Sequence, residues 1–351
     1  MVVYKMMTAK ERFFNAINRN EIDRIPCMCP GGMMNMIVTE LMDIEHIYWP
    51  EAHKDAKLMA NLAAGIAKNN ILDNVGVPFC MTVEAEAMGA KVHLGDKITE
   101  PRVIEYPLNS VVDWRKLNNI DLSKGRVNTT LNALNILKSM NMDTVIVGNL
   151  TGPVSLASSL VDASNYYKDL RRHPKEAHEL MDFITDNLIS FGKAQIKSGA
   201  DIISISDPSG TGEILGPKLF NEFALPYINR IVDELNPLCN NGIIVHICGR
   251  LKPIYKELNN LRSNVLSFDS IVSIREVKES INNKALMGNV STLTLDKGTK
   301  ESIKSACEFC VSSGIDILAP ACGLGTKSKI HNIKTLMEVS KEKANDRTKK
   351  I

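Results

Sequence analysis

LMDFITDNLISFGKAQIKSGADIISISDPSG, residues 180–210, holds one complete helix-then-strand unit, and repetition of that unit decides the fold. A helical pattern runs to Gly199, which stands where a helix C-terminal cap belongs. A buried strand follows at Asp201–Ser206, and Asp207-Pro208 ends it. SIKSACEFCVSSG, ending at Gly314, repeats the arrangement ahead of a strand at Ile315–Ala319.

Six more segments rich in Val, Ile and Leu read as buried strands: Arg24–Cys29, Asn70–Val77, Thr144–Asn149, Ile243–Cys248, Val265–Asp269 and Ala285–Val290. Helical patterns lie between most of them. Strands alternating with helices imply parallel pairing through right-handed crossovers. Eight such units predict an α/β fold, a single (β/α)8 TIM barrel spanning residues 1–351. The stretch 80–142 is longer than one crossover needs and reads as an elaboration over the barrel mouth. Residues 340–351 read as a polar tail that frays. An open, doubly wound sheet is the rival, but GLG at 323–325 does not continue as a dinucleotide-binding loop.

Composition narrows the function. The chain has 351 residues, is 44% hydrophobic and carries a formal charge of +2. No strong field points to nucleic acid or an anionic membrane. No apolar run reaches membrane-spanning length. The N-terminal MVVYKMMTAKERFFNAINRN is charged and amphipathic, without the apolar core and cleavage site of a signal peptide. These features predict a cytoplasmic protein that binds neither nucleic acid nor membrane. The 8 cysteines then read as free, catalytic or metal-bound rather than disulfide-bonded.

The sharpest chemical feature is IIVHICGR at 243–250. One residue separates His246 from Cys248, so on a strand both side chains take the same face. They fall at the C-terminal end of the fifth proposed strand, the active-site face of an α/β barrel. IDILAPACGLG at 315–325 puts Cys322 just past the eighth strand, on the same rim. An imidazole and two thiolates form a soft ligand set that selects zinc, and three protein ligands leave the fourth position open. Asp269, ending VLSFDS, is the candidate to fill that position at rest. The bland alternative is that these cysteines are small apolar core residues.

Other residues carry less. Cys307 and Cys310 share one face of a helix and read as core. Cys27 and Cys29 share a strand face; Cys80 and Cys239 read as packing residues. His46 and His53 read as surface or capping residues, although Trp49, Pro50 and His53 are also candidates to shape a pocket. MCPGGMMNM at 28–36 reads as core or as lining for a large flat ligand. Asp207 faces the mouth or caps the following turn.

At these residues the sequence resembles the uroporphyrinogen decarboxylase superfamily, a set of α/β barrels, and within it the corrinoid:coenzyme M methyltransferase branch. His246, Cys248 and Cys322 match that branch's pattern of HxC followed much later by Cys. YWPEAH at 48–53, EAMG at 86–89, GNLTGPVSLAS at 148–158, ADIISISDP at 200–208, MGNVS at 287–291 and GIDILAPACG at 314–323 resemble it in register over nearly the whole chain. The resemblance implies a zinc-dependent methyltransferase with methylcobalamin, a corrinoid held on a partner protein, as methyl donor. It implies a small thiol such as coenzyme M as acceptor. It also implies a carboxylate as resting fourth ligand, for which Asp269 is suitably placed. CMCPGGMMNMIVTE at 27–40 lacks the arginines that porphyrinogen carboxylates require, which argues against a decarboxylase. No DxHxxG corrinoid-binding signature is present.

Chemically, only a few per cent of a free thiol with a pKa near ~8.5 is thiolate at neutral pH. Metal coordination removes that limit. Glu86 and Asp207 are the candidates for orienting substrate or handling the released proton. Three rivals remain: a decarboxylase-like lyase, which needs no metal; an accessory protein with a structural zinc; and methyl transfer to homocysteine or a folate. Arg250, following HICG, is either an anion contact or an ordinary loop arginine.

Overall fold

The computed structural model describes residues 6–30 and 36–348. Seven parallel strands form one sheet in the order β1-β4-β5-β6-β7-β8-β9. They are β1 (Asn74–Val77), β4 (Val145–Thr151), β5 (Ile202–Ser206), β6 (Ile243–Ile247), β7 (Val265–Phe268), β8 (Ala285–Val290) and β9 (Ile317–Pro320). β2 (Lys91–His93) and β3 (Arg102–Glu105) form a separate antiparallel hairpin within 80–142. Thr326, beyond β9, donates its hydroxyl to the carbonyl of Ile98 in the hairpin loop at 2.8 Å. The architecture is α/β and TIM-barrel-like, and every strand of the large sheet is buried along its length.

The expected first strand, Arg24–Cys29, is reduced to a single bridge between Cys27 and Leu318 of β9. Proline explains this. Pro26 within the segment and Pro30 just after it have no N–H to give a ladder. Backbone bonds from Met28 N to Leu318 O (3.0 Å) and Leu318 N to Pro26 O (2.9 Å) tie it to β9. On its other side Asp73 N donates to Cys27 O at 2.8 Å. Side chains replace the missing ladder there. The Asn74 amide accepts from Cys29 N and donates to Cys29 O, both at 2.9 Å. The Asp73 carboxylate accepts from Cys27 N at 2.8 Å. The second expected strand starts late, at Asn74, because Asn70 turns the chain with φ +52°.

Alternation sorts the core into two layers. Val145, Val147, Ile202, Ile244, Val265, Met287, Ile317 and Ala319 point inward and pack with Met28. Phe13 and Ala9 of the helix Ala9–Ile17 join this inner cluster, so that helix covers one end of the curled sheet's inner face. The intervening residues face the surrounding helices in the larger cluster. Of the expected polar tail, residues 340–348 continue the helix Ile330–Thr348, and residues 349–351 lie outside the described residues. Of MCPGGMMNM, residues 31–35 lie outside the described residues, while Met28 and Met36 are buried. Among the described residues no helix is long and apolar enough to cross a membrane.

Candidate metal and methyl-transfer site

The strand period delivers His246 and Cys248 together. Ile244 is an inward residue of β6, so His246 two positions on is inward too, and Cys248 follows at the strand's C-terminal end. Gly249 then turns the chain at φ +74°; a Cβ there would lie 2.5 Å from Glu213 Oε1. Cys322 comes from the loop after β9. Ligand atoms of His246, Cys248 and Cys322 all lie within 4.8 Å of one another.

The geometry fits a shared ion. Sγ of Cys248 and Cys322 are 3.9 Å apart. Two thiolates on one tetrahedral zinc, each with a Zn–S bond of ~2.3 Å, subtend roughly 3.8 Å. His246 is fully buried, and its Nε2 has no hydrogen-bond partner. An imidazole nitrogen left unpaired in the interior is costly unless something fills its lone pair. Its Nδ1 lies 2.9 Å from Ser267 Oγ, directly across the β6–β7 register. That contact fixes the ring with Nε2 free, as metal-binding histidines are held.

Asp269 sits beside the cluster. Cys248 Sγ donates to Asp269 Oδ2 at 3.3 Å, and Gly249 N reaches the same oxygen at 3.3 Å. Ile271 N donates to Oδ1 at 3.1 Å. Burial pushes this carboxyl up, but the Ile271 N–H and the Cys248 thiol outweigh it and hold it below its usual range. The hydrogen bond between the two sulfurs and burial push Cys248 up, and the same bond holds Cys322 down. Both cysteines are half-buried, so the cluster remains reachable.

The other two expected site residues, Asp207 and Glu86, each have partners within the fold. Asp207 is fully buried at the end of β5. Its carboxylate accepts from Val154 N (3.1 Å), Ser155 N (2.8 Å) and Ser155 Oγ (2.6 Å). It therefore caps the helix Pro153–Leu160. Burial raises its pKa against these bonds. Glu86 pairs with the buried Arg126 at 2.6 Å. Arg126 also donates to Cys80 Sγ at 3.2 Å and Thr82 Oγ1 at 3.0 Å. The fully enclosed acid of that region is Glu84, which accepts from Thr151 N (2.8 Å) and Oγ1 (3.0 Å).

Sequence reading missed Ser267, and of the readings left open for His53 the surface one fails. Ser267 had a signal: it is a small polar residue between Val265 and Asp269 on the inward face of β7. His53 is buried rather than on the surface, packed between Trp49 (4.8 Å) and Phe79 (6.1 Å). Burial pulls its pKa down to about 3, with the Arg126 charge adding to the effect. Arg250 is exposed and lies 3.7 Å from Glu213.

The family model described as uroporphyrinogen decarboxylase (URO-D) matches residues 8–343. The methylcobamide:CoM methyltransferase MtbA of Methanosarcina acetivorans is 31% identical, covering 95% of this chain and 98% of the relative. The methylcobamide:CoM methyltransferase MtaA of Methanosarcina barkeri is 30% identical, covering 95% and 98%. A solved methyltransferase from Methanosarcina mazei superposes with TM-score 0.88 at 30% identity, over 96% of this chain and 99% of that one.

Proposed function

This chain belongs to the uroporphyrinogen decarboxylase family, and from that premise we propose that it is a methyltransferase that passes a methyl group from a methylated corrinoid to the thiol of coenzyme M. The observation that carries the reading is the convergence of His246, Cys248 and Cys322 within 4.8 Å, around a buried and unpaired imidazole nitrogen. The similarity to methylcobamide:CoM methyltransferases over 95% of the chain supports the choice of methyl transfer. The hydrogen bonds at Cys27 support reading the ring as a (β/α)8 barrel closed by residues 26–29. Residues 80–142 are then its elaboration beside the mouth.

His246 through Nε2, with the sulfurs of Cys248 and Cys322, would hold zinc, and Asp269 would take the fourth position until substrate arrives. Bound zinc supplies the Lewis acidity that keeps an incoming thiol deprotonated at neutral pH. Ser267 keeps the imidazole oriented, and the buried strand ends exclude water from one side of the cluster. In the transfer the coenzyme M sulfur attacks the methyl carbon in line with cobalt. A carbon–sulfur bond forms and the cobalt–carbon bond breaks. The bonding pair stays on cobalt, which goes from Co(III) to Co(I), and the thiol proton leaves to solvent. The corrinoid arrives on a separate partner protein.

Replacing Cys248 or Cys322 with Ala is expected to abolish both zinc content and thiol-dependent demethylation of methylcobalamin, with circular dichroism unchanged. Full zinc occupancy in both variants would overturn the ligand assignment. A zinc-loaded protein inert towards methylcobalamin and coenzyme M would overturn the reaction.

A further inference from the structure

At the opposite end of the strands lies a polar cavity of about 560 Å³. Its lining includes the residues that lead into β7 and β8, together with Arg19 from beyond the helix Ala9–Ile17. Three cationic residues line it, Arg19, Arg262 and Lys284, and among the described residues no carboxylate does.

Lys284 is the unusual member. It is only 4% exposed. The other buried cations among the described residues each have an acid. Arg12 pairs with Asp23 and Asp73, and Arg126 with Glu86. Lys284 has only neutral partners, the carbonyl of Leu258 at 3.2 Å and the side-chain oxygen of Asn283. A buried charge without a counter-charge is expensive, and nearby like charges add to the cost. Desolvation alone brings its pKa down to about 8. In the same cavity wall Ser263 Oγ and Asn264 Oδ1 are buried without a hydrogen-bond partner. Ser263 is 4% exposed.

We propose that this cavity binds a phosphorylated small molecule, with Lys284, Arg19 and Arg262 taking the phosphate and Ser263 donating to it. The volume falls in the ~300–1,000 Å³ range of small-molecule sites. Guanidinium groups match phosphate geometry through paired donors, and an ammonium adds a compact point charge. Arg262 pairs with Asp233, which does not line the cavity. Arg19 is fixed by donating to the carbonyl of Asn282. The competing account makes Lys284 solely a cap for the helix Tyr255–Leu258. A cap does not require two further cations or an unpaired buried hydroxyl. The inference stands apart from the methyl-transfer reading, because it uses none of the same residues.

Titration calorimetry and phosphorus NMR of the full chain, with inorganic phosphate and pyrophosphate as probes, test it. Saturable one-to-one binding is expected. Arg19→Ala, at an exposed position, is expected to weaken it by about tenfold, and Lys284→Met to remove it. If Lys284→Met does not fold, Arg262→Ala takes its place with the same expectation. Lys57→Ala, on the exposed surface elsewhere, is expected to leave it unchanged. Absence of saturable binding, or equal weakening by Lys57→Ala and Arg19→Ala, overturns the proposal, since either outcome means no more than a diffuse ion atmosphere.

Discussion

Ser267 is a single hydroxyl whose contact decides which imidazole nitrogen is free. It sits opposite His246 in register and meets Nδ1 at 2.9 Å. Without it the ring is free to rotate and to present either nitrogen. Ser267→Ala is therefore expected to lower zinc affinity by ~10–100-fold, the usual effect of removing a partner behind a ligand. Competition against a graded chelator measures this. Unchanged affinity would mean that packing alone holds the ring. The three cysteine and histidine positions were legible in the sequence because strand period and strand-end position fix them. His53 was not, because its burial comes from Trp49 and Phe79 closing over it, not from any local pattern.

At the scale of elements, neighbouring βα units are stitched by carboxylates that reach across. Asp207 ends β5 but caps the helix that follows β4. Gly152 and Gly210 permit the approach: a Cβ on either would come within 2.3 Å or 2.9 Å of the Asp207 side chain. Asp207→Ala should leave the N–H groups of Val154 and Ser155 buried without a partner. A stability loss of about 1–3 kcal/mol follows from that. Zinc content is expected to persist, because Asp207 is not among the converging ligands. Urea unfolding and metal analysis on one preparation read both. The sequence identified Asp207 as a strand-end carboxylate but left open whether it faced the mouth or capped a turn. The identity of its partner depends on a chain segment over fifty residues away.

For the whole molecule, closure of the ring depends on a short segment that lacks a regular strand's ladder. Asp73 gathers that segment. It accepts from Arg24 at 2.6 and 2.8 Å and from Cys27 N at 2.8 Å, with Arg12 at 3.5 Å. Arg12 is itself tied to Asp23 at 2.7 Å. Removing the charge takes the acid from Arg24, while Arg12 keeps Asp23. Asp73→Asn is expected to cost about 3–5 kcal/mol, the range for breaking a buried ion pair from one side. It should lower Tm cooperatively rather than release one segment. A loss within about 1 kcal/mol would mean that the backbone bonds at 26–29 close the ring unaided.

The sequence by itself determined the alternation of helix and strand, the buried strands from β4 to β9, and the shared face of His246 and Cys248. Each is a periodicity, and periodicity is written locally in the order of side chains. Only the tertiary structure decided that residues 26–29 bridge β9 and β1, that Asp207 meets a helix end and Glu86 an arginine, and that, among the described residues, Lys284 lies buried without an acid. Those outcomes depend on which distant segment lies opposite, and a side chain's neighbours across a ring of strands are set by closure and register rather than by its place in the chain.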